Sequence, residues 1–499
     1  MNRLSSNGQM DFSSVWFNKS LSDNTRLFKS IFCNTDTVVF RTVQSSHNPA
    51  IQCCLVFFDG MVNSAVMAES LLTPIMQAQY QPAEGPVETF LQNKVLALND
   101  AALHTDVLES VNKALYGDTL VLIEGYAGAL AVNTKGFATR SIAEPDDERA
   151  LRGPREGFTE SIMTNMAMLR RKLLTNDLKF KYMTFGTRSN TKACLCYLDN
   201  LVDKKILADL ETRLQTIHVD GVLESNAICE RIKDAPFSLF KTTGQTEKPD
   251  ILAAKLLEGR IALLLDGTPV VITVPYLFIE NFQAADDYYN NFYYSSFNRL
   301  LRILAFFISV CGPALYIAMT VYHLEIIPSN LMLSIAAAEK GVPFPILVEC
   351  IVFIIVFELL RETGIRMPNK VGPAMSIVGA LVMGQAAIEA KLISAPTVIV
   401  VALGGIAGLV LPRLAGSIVI LRFLFLLSAS ILGYYGIFFC MLWLILYLSK
   451  LKSFGVDFTS QMIPFEKGLL PDIYIRAPFR FAQFRPERLT QNRRREGKM

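Results

Sequence analysis

The sequence predicts a chain in two parts: two similar, duplicated cytoplasmic α/β subdomains, then a polytopic transmembrane domain of α-helices with four to six spans. Three observations lead there. Between residues 299 and 452 lie apolar runs at 300–322, 344–360, 371–388, 396–411 and 417–448. Several meet or approach the roughly 20 apolar residues that a spanning helix needs, with almost no charge inside. Composition agrees, because 51% of the 499 residues are hydrophobic, which is high for a wholly soluble chain. Third, two blocks of the N-terminal half recur at nearly the same offset.

Charge orients the parts. Net charge is +3, yet residues 450–499 carry eleven Lys or Arg against five Asp or Glu, so the basicity belongs to a tail at 453–499. Basic residues near membrane ends stay cytoplasmic, and here they are Arg299 and Arg302, Arg361, Arg366 and Lys370, Arg413, and Lys450 and Lys452. Both termini are therefore expected on the cytoplasmic side, with an even number of crossings. Six fit if the last run turns at Gly433-Tyr434-Tyr435-Gly436; four fit if it is one long tilted helix and 344–360 lies in the interface. Residues 1–30 show no basic stretch followed by an apolar one, so no export signal is expected for the first part.

Taken in order, residues 1–30 are rich in Ser and Asn and are expected to be weakly ordered. The first α/β subdomain is expected over 31–150, with strands at 37–43 and 51–58 and a helix at 64–79. A second helix at 106–116 precedes strands at 119–124 and 127–132, which flank a turn at Gly125-Tyr126. Cys54-Leu-Val-Phe-Phe-Asp59-Gly60 recurs as Cys194-Leu-Cys-Tyr-Leu-Asp199-Asn200, and Gly117-Asp-Thr-Leu-Val-Leu-Ile-Glu124-Gly125 as Gly259-Arg-Ile-Ala-Leu-Leu-Leu-Asp266-Gly267. The offsets, 140 and 142 residues, argue for a duplicated unit and a second subdomain over 151–285. Each acidic-Gly pair suits a hairpin turn, since Gly accepts positive φ.

Between the copies, Glu144-Pro-Asp-Asp-Glu-Arg149 and Arg152-Gly-Pro-Arg155-Glu156-Gly-Phe158 break regular structure with Pro and Gly. This is either a solvated linker or a docking loop, and Arg152, Arg155 and Glu156 are candidates for subunit or domain coupling. Thr159 is the expected N-cap of the helix that follows. Residues 286–298 form an aromatic connector, containing Asp286, Asp287 and Tyr288 as further coupling candidates, placed where soluble part meets bilayer.

Enzyme chemistry finds no support. There is no phosphate-binding Gly-rich loop, no His-Glu-x-x-His pair and no nucleophile elbow. His47, His104, His218 and His323 are scattered singly. The nine cysteines show neither zinc spacing nor a disulfide framework. Catalytic residues, cofactors and metals are not expected, and nucleic acid is not an expected partner.

Charge inside hydrocarbon is costly, so the polar residues of 299–452 carry the functional signal. Glu358, Arg361 and Glu362 share one helical face and are expected to pair locally. Glu349 has no such neighbour and is the leading pore or gating candidate, with Asn330, Ser334, Gln385 and Glu389 as others able to line a wet path. Arg422 also requires a partner. Gly404-x-x-x-Gly408 permits close helix contact, and residues 331–341 suit a re-entrant or interfacial helix.

Arg152-Gly-Pro-Arg-Glu-Gly-Phe-Thr-Glu160, Glu258-Gly-Arg-Ile-Ala-Leu-Leu-Leu-Asp-Gly-Thr-Pro269, Ala337-Ala-Glu-Lys-Gly-Val-Pro-Phe-Pro345, Glu358-Leu-Leu-Arg-Glu-Thr-Gly364 and Val378-Gly-Ala-Leu-Val-Met-Gly-Gln-Ala-Ala387 together resemble the blocks of the spore germination receptor A-subunit family, the GerA family. The resemblance runs from about residue 30 to Pro478. Lys340 stands where the family block has Arg, a departure that keeps the charge. The resemblance implies a multi-pass spore inner-membrane protein with a transporter-like B subunit and a lipoprotein C subunit as partners. It also implies homo-oligomerisation into a nutrient-gated cation channel surrounded by membrane lipid. A non-conducting scaffold and, less readily, a secondary transporter are the other readings the residues leave open.

Overall fold

The computed structural model describes residues 15–49, 51–80, 85–95, 101–136, 148, 153–366, 372–460, 462, 470–478, 485, 489–490 and 492. It opens with helix α1 (Leu21–Ile31), where weak order was expected. The Ser- and Asn-rich segment hid capping chemistry: the Ser20 hydroxyl accepts from the Asp23 N–H, and Leu21, Asn24, Phe28 and Ile31 make one buried face. Strands β1 (Val38–Gln44) and β2 (Gln52–Phe58) follow. The helix expected at 64–79 is α2 (Ser64–Met67), a wide π-turn and α3 (Thr73–Gln77), because Pro74 cannot donate to the preceding turn. The short α4 (Val87–Phe90), β3 (Ala101–His104), α5 (Val107–Leu115), β4 (Thr119–Ile123) and β5 (Ala129–Val132) complete an antiparallel sheet of order β1-β2-β4-β5-β3.

A second sheet repeats the order. After α6 (Ile162–Lys172) come β6 (Leu178–Phe185), β7 (Thr191–Leu198), α7 (Lys204–Gln215), α8 (Ser225–Ile232), β8 (Gly244–Thr246), α9 (Pro249–Leu257), β9 (Ile261–Leu265) and β10 (Val271–Val274), arranged β6-β7-β9-β10-β8. Register repeats as well, with Cys54 opposite Leu122 and Cys194 opposite Leu264. The N-cap of α6 is Ser161, not Thr159; the Thr159 N–H instead donates to Asn165 Oδ1 at 2.8 Å, as the Asn18 N–H does to Asn24 Oδ1.

The acidic-Gly turns do more than reverse the chain. Glu124 accepts from the first N–H of α1, on Leu21, at 2.8 Å, and Asp266 accepts from the first N–H of α6, on Ile162, at 3.1 Å. A carboxylate at a helix N-terminus satisfies an orphan donor and complements the macrodipole. The neighbouring glycines sit at φ +86° and +88° and donate to the carbonyls of Lys19 and Glu160. The cation of Arg170 is buried between the Phe58 ring of the first sheet and the Phe180 ring of the second, 4.8 Å from each, and so ties the two units together.

After α10 (Asp286–Tyr289) the second half is helical: α11 (Phe292–Ile317, running on as helix to Tyr322), α12 (Ser329–Glu339), α13 (Ile346–Arg366), α14 (Gly372–Glu389), α15 (Ala395–Leu409), α16 (Ala415–Leu432) and α17 (Tyr434–Lys450). The connector at 286–298 is thus two things, a helical turn and the first turns of α11, because the Asn291 side chain caps a helix that starts at Phe292. Phe292–Tyr322 and Pro412–Leu432 are long and apolar enough to cross a membrane. The last run breaks at Gly433, whose φ of +58° and ψ of −135° end α16 and start α17. Gly404 of α15 lies against Pro313 of α11, and Gly408 against Ser309, so these glycines do set a close crossing. Paired residues fix the directions. Thr397 lies by Tyr316 and Gly408 by Ser309, so α15 runs opposite to α11. The Tyr322 hydroxyl donates to the Ser430 carbonyl, and Ser417 at the other end of α16 donates to Leu239 of the second sheet domain. Helices α11, α14 and α16 lead away from the sheets, and α13, α15 and α17 return. α12 lies at the far end with none of its residues buried.

Candidate functional site

Two polar centres stand out, one at the junction of sheets and helices and one inside the bundle. The junction is built on Phe278, whose ring meets Phe240 of the sheet domain (5.5 Å), Phe282 (5.4 Å), Phe306 of α11 (6.4 Å) and Phe458 beyond α17 (5.8 Å). One continuous apolar core therefore runs from Leu195, Leu263 and Ile272 of the second sheet to Val310, Leu421 and Phe425 of the bundle. The short strands β11 (Lys452–Ser453) and β12 (Val456–Asp457) fold back on it, with the Ser453 hydroxyl donating to the Thr242 carbonyl and accepting from the Tyr276 N–H.

Ion pairs surround this core. Glu280, 4% exposed, takes Arg260 at 2.6 Å and Lys255 at 3.2 Å, and accepts from the Leu277 N–H. Burial by itself would raise the Glu280 carboxyl, and Arg260 with Lys255 more than offsets that, leaving it below the ordinary value. Burial pulls the Lys255 ammonium down despite Glu280. Arg413, just before α16, reaches Glu148 at 2.7 Å, and Glu148 in turn accepts from the Thr246 hydroxyl and the Glu247 N–H. Asp287, 1% exposed, takes Arg302 at 2.9 Å and Arg299 at 3.4 Å; Arg299 also meets Asp472 of α18 (Leu470–Ile473), to which Tyr288 donates.

Of the coupling candidates, Asp287 and Tyr288 hold this junction, and Asp286 lines a 500 Å³ cavity beside it. Arg155 is exposed. Glu156 pairs with Lys172 of α6 at 3.0 Å, within its own subdomain, and Arg152 lies outside the described residues. The sequence reading missed Glu280, Arg260 and Asp472. Arg299, Arg302 and Arg413, orientation markers by sequence position, are engaged in ion pairs at the junction, the first two with buried Asp287 and Arg413 with partly exposed Glu148.

Inside the bundle, Arg422 is 1% exposed and finds its partners across three helices. It meets Glu358 of α13 at 3.2 Å, the Ser309 carbonyl of α11 at 2.9 Å, the Ser309 hydroxyl at 2.8 Å and the Gly404 carbonyl of α15 at 3.3 Å. Arg361 pairs with Glu358 at 2.7 Å as the spacing predicts. Glu362 does not join them: it pairs with Arg366 at 2.7 Å, one turn on and toward solvent. Glu349, expected to have no near partner, is 2% exposed and accepts from the Ser394 N–H at 2.8 Å, where Ser394 opens α15. It also walls two cavities, one of 190 Å³ and one of 510 Å³, the second reaching Glu339. The other path candidates do not converge on it. Gln385 donates to Glu389 on the exposed face of α14 at 3.0 Å, and Ser334 donates to the Asn330 carbonyl within α12.

Twin antiparallel sheet domains welded through an ionic junction to a six-helix apolar bundle with an enclosed arginine paired to a half-buried glutamate define a class: a domain-coupled helical-bundle protein with helices able to cross a membrane. The chain belongs to the GerA family, described as Bacillus/Clostridium GerA spore germination protein, whose pattern matches residues 26–488. It is 36% identical over 97% of its length to spore germination protein KA of Bacillus subtilis, covering 89% of that protein. It is also 40% identical to the uncharacterized membrane protein YfkQ of the same organism, over 85% of this chain and 83% of that one. A crystal structure of the N-terminal domain of the A subunit of the Bacillus megaterium spore germinant receptor GerK3 aligns with 53% of this chain and 97% of its own, at 26% identity and a TM-score of 0.41.

Proposed function

We propose that this chain is the A subunit of a spore germinant receptor, a non-enzymatic protein of the spore inner membrane that crosses it six times with both termini on the cytoplasmic side. It assembles with copies of itself and with B and C subunits, and nutrient binding in the complex opens a path for monovalent cations. The observation that carries this reading is the junction. A core continuous through Phe278, flanked by Glu280, Asp287 and Arg413, means that displacement of the second sheet domain loads α11 and α16 directly. Alternating helix directions and the break at Gly433 support six crossings over four.

The test is cation flux from liposomes carrying the assembled receptor, with and without nutrients. A nutrient-dependent leak that Glu349→Gln reduces while assembly persists is expected, since Gln keeps an acceptor for Ser394 but removes the charge beside both cavities. No leak from a verified complex under any nutrient would assign the chain to the scaffold class instead.

A further inference from the structure

The second sheet domain carries an aromatic side chain that nothing among the described residues covers. Phe237 is 99% exposed. It is held there by design of the backbone: the Ser238 N–H donates to the Ala235 carbonyl at 3.2 Å, closing a turn with Pro236 and Phe237 at its tip. Proline pre-sets the first central position of such a turn, so the ring that follows projects from a stiff support.

The height of that turn is set by the residue after it. The Tyr447 hydroxyl of α17 donates to Ser238 Oγ at 3.3 Å and accepts from the Leu239 N–H at 3.0 Å, while the Leu239 carbonyl accepts from Ser417 at the start of α16. The turn therefore sits at the sheet-side ends of two apolar helices. Tyr447 stacks on Trp443, ring centroids 5.2 Å apart, and Trp443 lies with Leu442, Ile445 and Leu446 on the exposed face of α17. Trp and Tyr with a polar tip mark the headgroup level of a bilayer, and exposed Lys450 and Lys452 follow within two turns.

We propose that the 235–238 turn is a lipid anchor: Phe237 enters the boundary between headgroups and acyl chains beside Trp443, fixing the second sheet domain against the membrane. This rests on the membrane reading of the helical half. It gives the sheet domain a hold on lipid besides its contacts with α11, α16 and α17, so that a tilt of the domain pulls against lipid as well as helix.

The chain has two tryptophans, Trp16 and Trp443, which makes the test direct. One full-length variant, Trp16→Phe, keeps the indole at 443 alone; a second, Trp16→Phe/Trp443→Tyr/Phe237→Trp, moves the single indole to 237 and retains a ring to stack on Tyr447. Both are reconstituted in bilayers with and without lipids brominated near the headgroup end of the acyl chain. The anchor predicts that bromolipid lowers emission at least about twofold at both positions. Quenching at 443 but not at 237, whether 237 answers to aqueous iodide or is shielded from both by protein, would overturn the anchor while leaving the membrane reading intact. Quenching at neither position would overturn both.

Discussion

At the scale of single residues, Glu280 is the group whose charge matters most to the fold. Its partners Arg260 and Lys255 are themselves 3% exposed and largely buried, so Glu280→Gln takes the counter-charge from Lys255, leaves Arg260 with Glu258 alone, and costs about 3–5 kcal/mol in thermal unfolding of the detergent-solubilised chain. The same group predicts an acid limb. Its folded pKa lies below the ordinary carboxylate value, so its contribution is complete above that value, about 4.5, and is lost as pH falls through the folded value. Unfolding midpoints measured downward from pH 6 should fall more steeply for the native chain than for Glu280→Gln. Arg422 gives a complementary case. Glu358→Leu strands it inside the bundle and should cost about 3–5 kcal/mol, whereas Glu358→Leu/Arg422→Leu removes the enclosed cation as well and should recover most of that loss, since Arg361, left without Glu358 in both variants, is partly exposed. A double mutant no more stable than the single one would mean that Ser309 and Gly404, not Glu358, hold the arginine.

At the scale of elements, the repeat reaches into the caps. Glu124 and Asp266 occupy the same turn of the two copies, and each closes the N-terminus of the helix that begins its own unit. Glu124→Ala and Asp266→Ala should each lower the unfolding free energy by about 1 kcal/mol, and additively, because the two caps share no partner. Circular dichroism melts of the single and double variants measure it. The spacing of the repeat was legible because both copies keep the apolar strand and the glycine. The role of the acid was not, because a capping bond between residues more than a hundred positions apart has no local pattern. For the same reason α1 was hidden: Ser and Asn are equally the residues of loose segments and of helix starts, and only the buried face of Leu21, Phe28 and Ile31 against the first sheet separates them.

At the scale of the whole molecule, the bonds that cross from sheets to helices predict a separation of assembly from response. Glu148→Gln weakens the Arg413 contact at the edge of the junction while the Phe278 core stays closed. Such a receptor should assemble normally yet lose nutrient-dependent cation flux about fivefold or more, measured in the same liposomes as the native complex. Unaltered flux would show that the core alone transmits the signal. The sequence by itself determined the division into sheet and helical halves and the repeated strand unit, because these are written in periodicity, composition and short-range spacing, and its motif blocks carried the resemblance to the family; the break at Gly433, which the sequence left open, was decided by the structure. Tertiary structure alone decided which charges meet. Arg299, Arg302 and Arg413 read as cytoplasmic markers in the chain and as junction pairs in space, Arg422 met Glu358 across helices, and Glu349 found a backbone N–H 45 residues away. A buried charge takes whichever partner the packing of apolar faces brings within reach, and that packing is a property of the assembled helices and sheets, which no stretch of sequence carries alone.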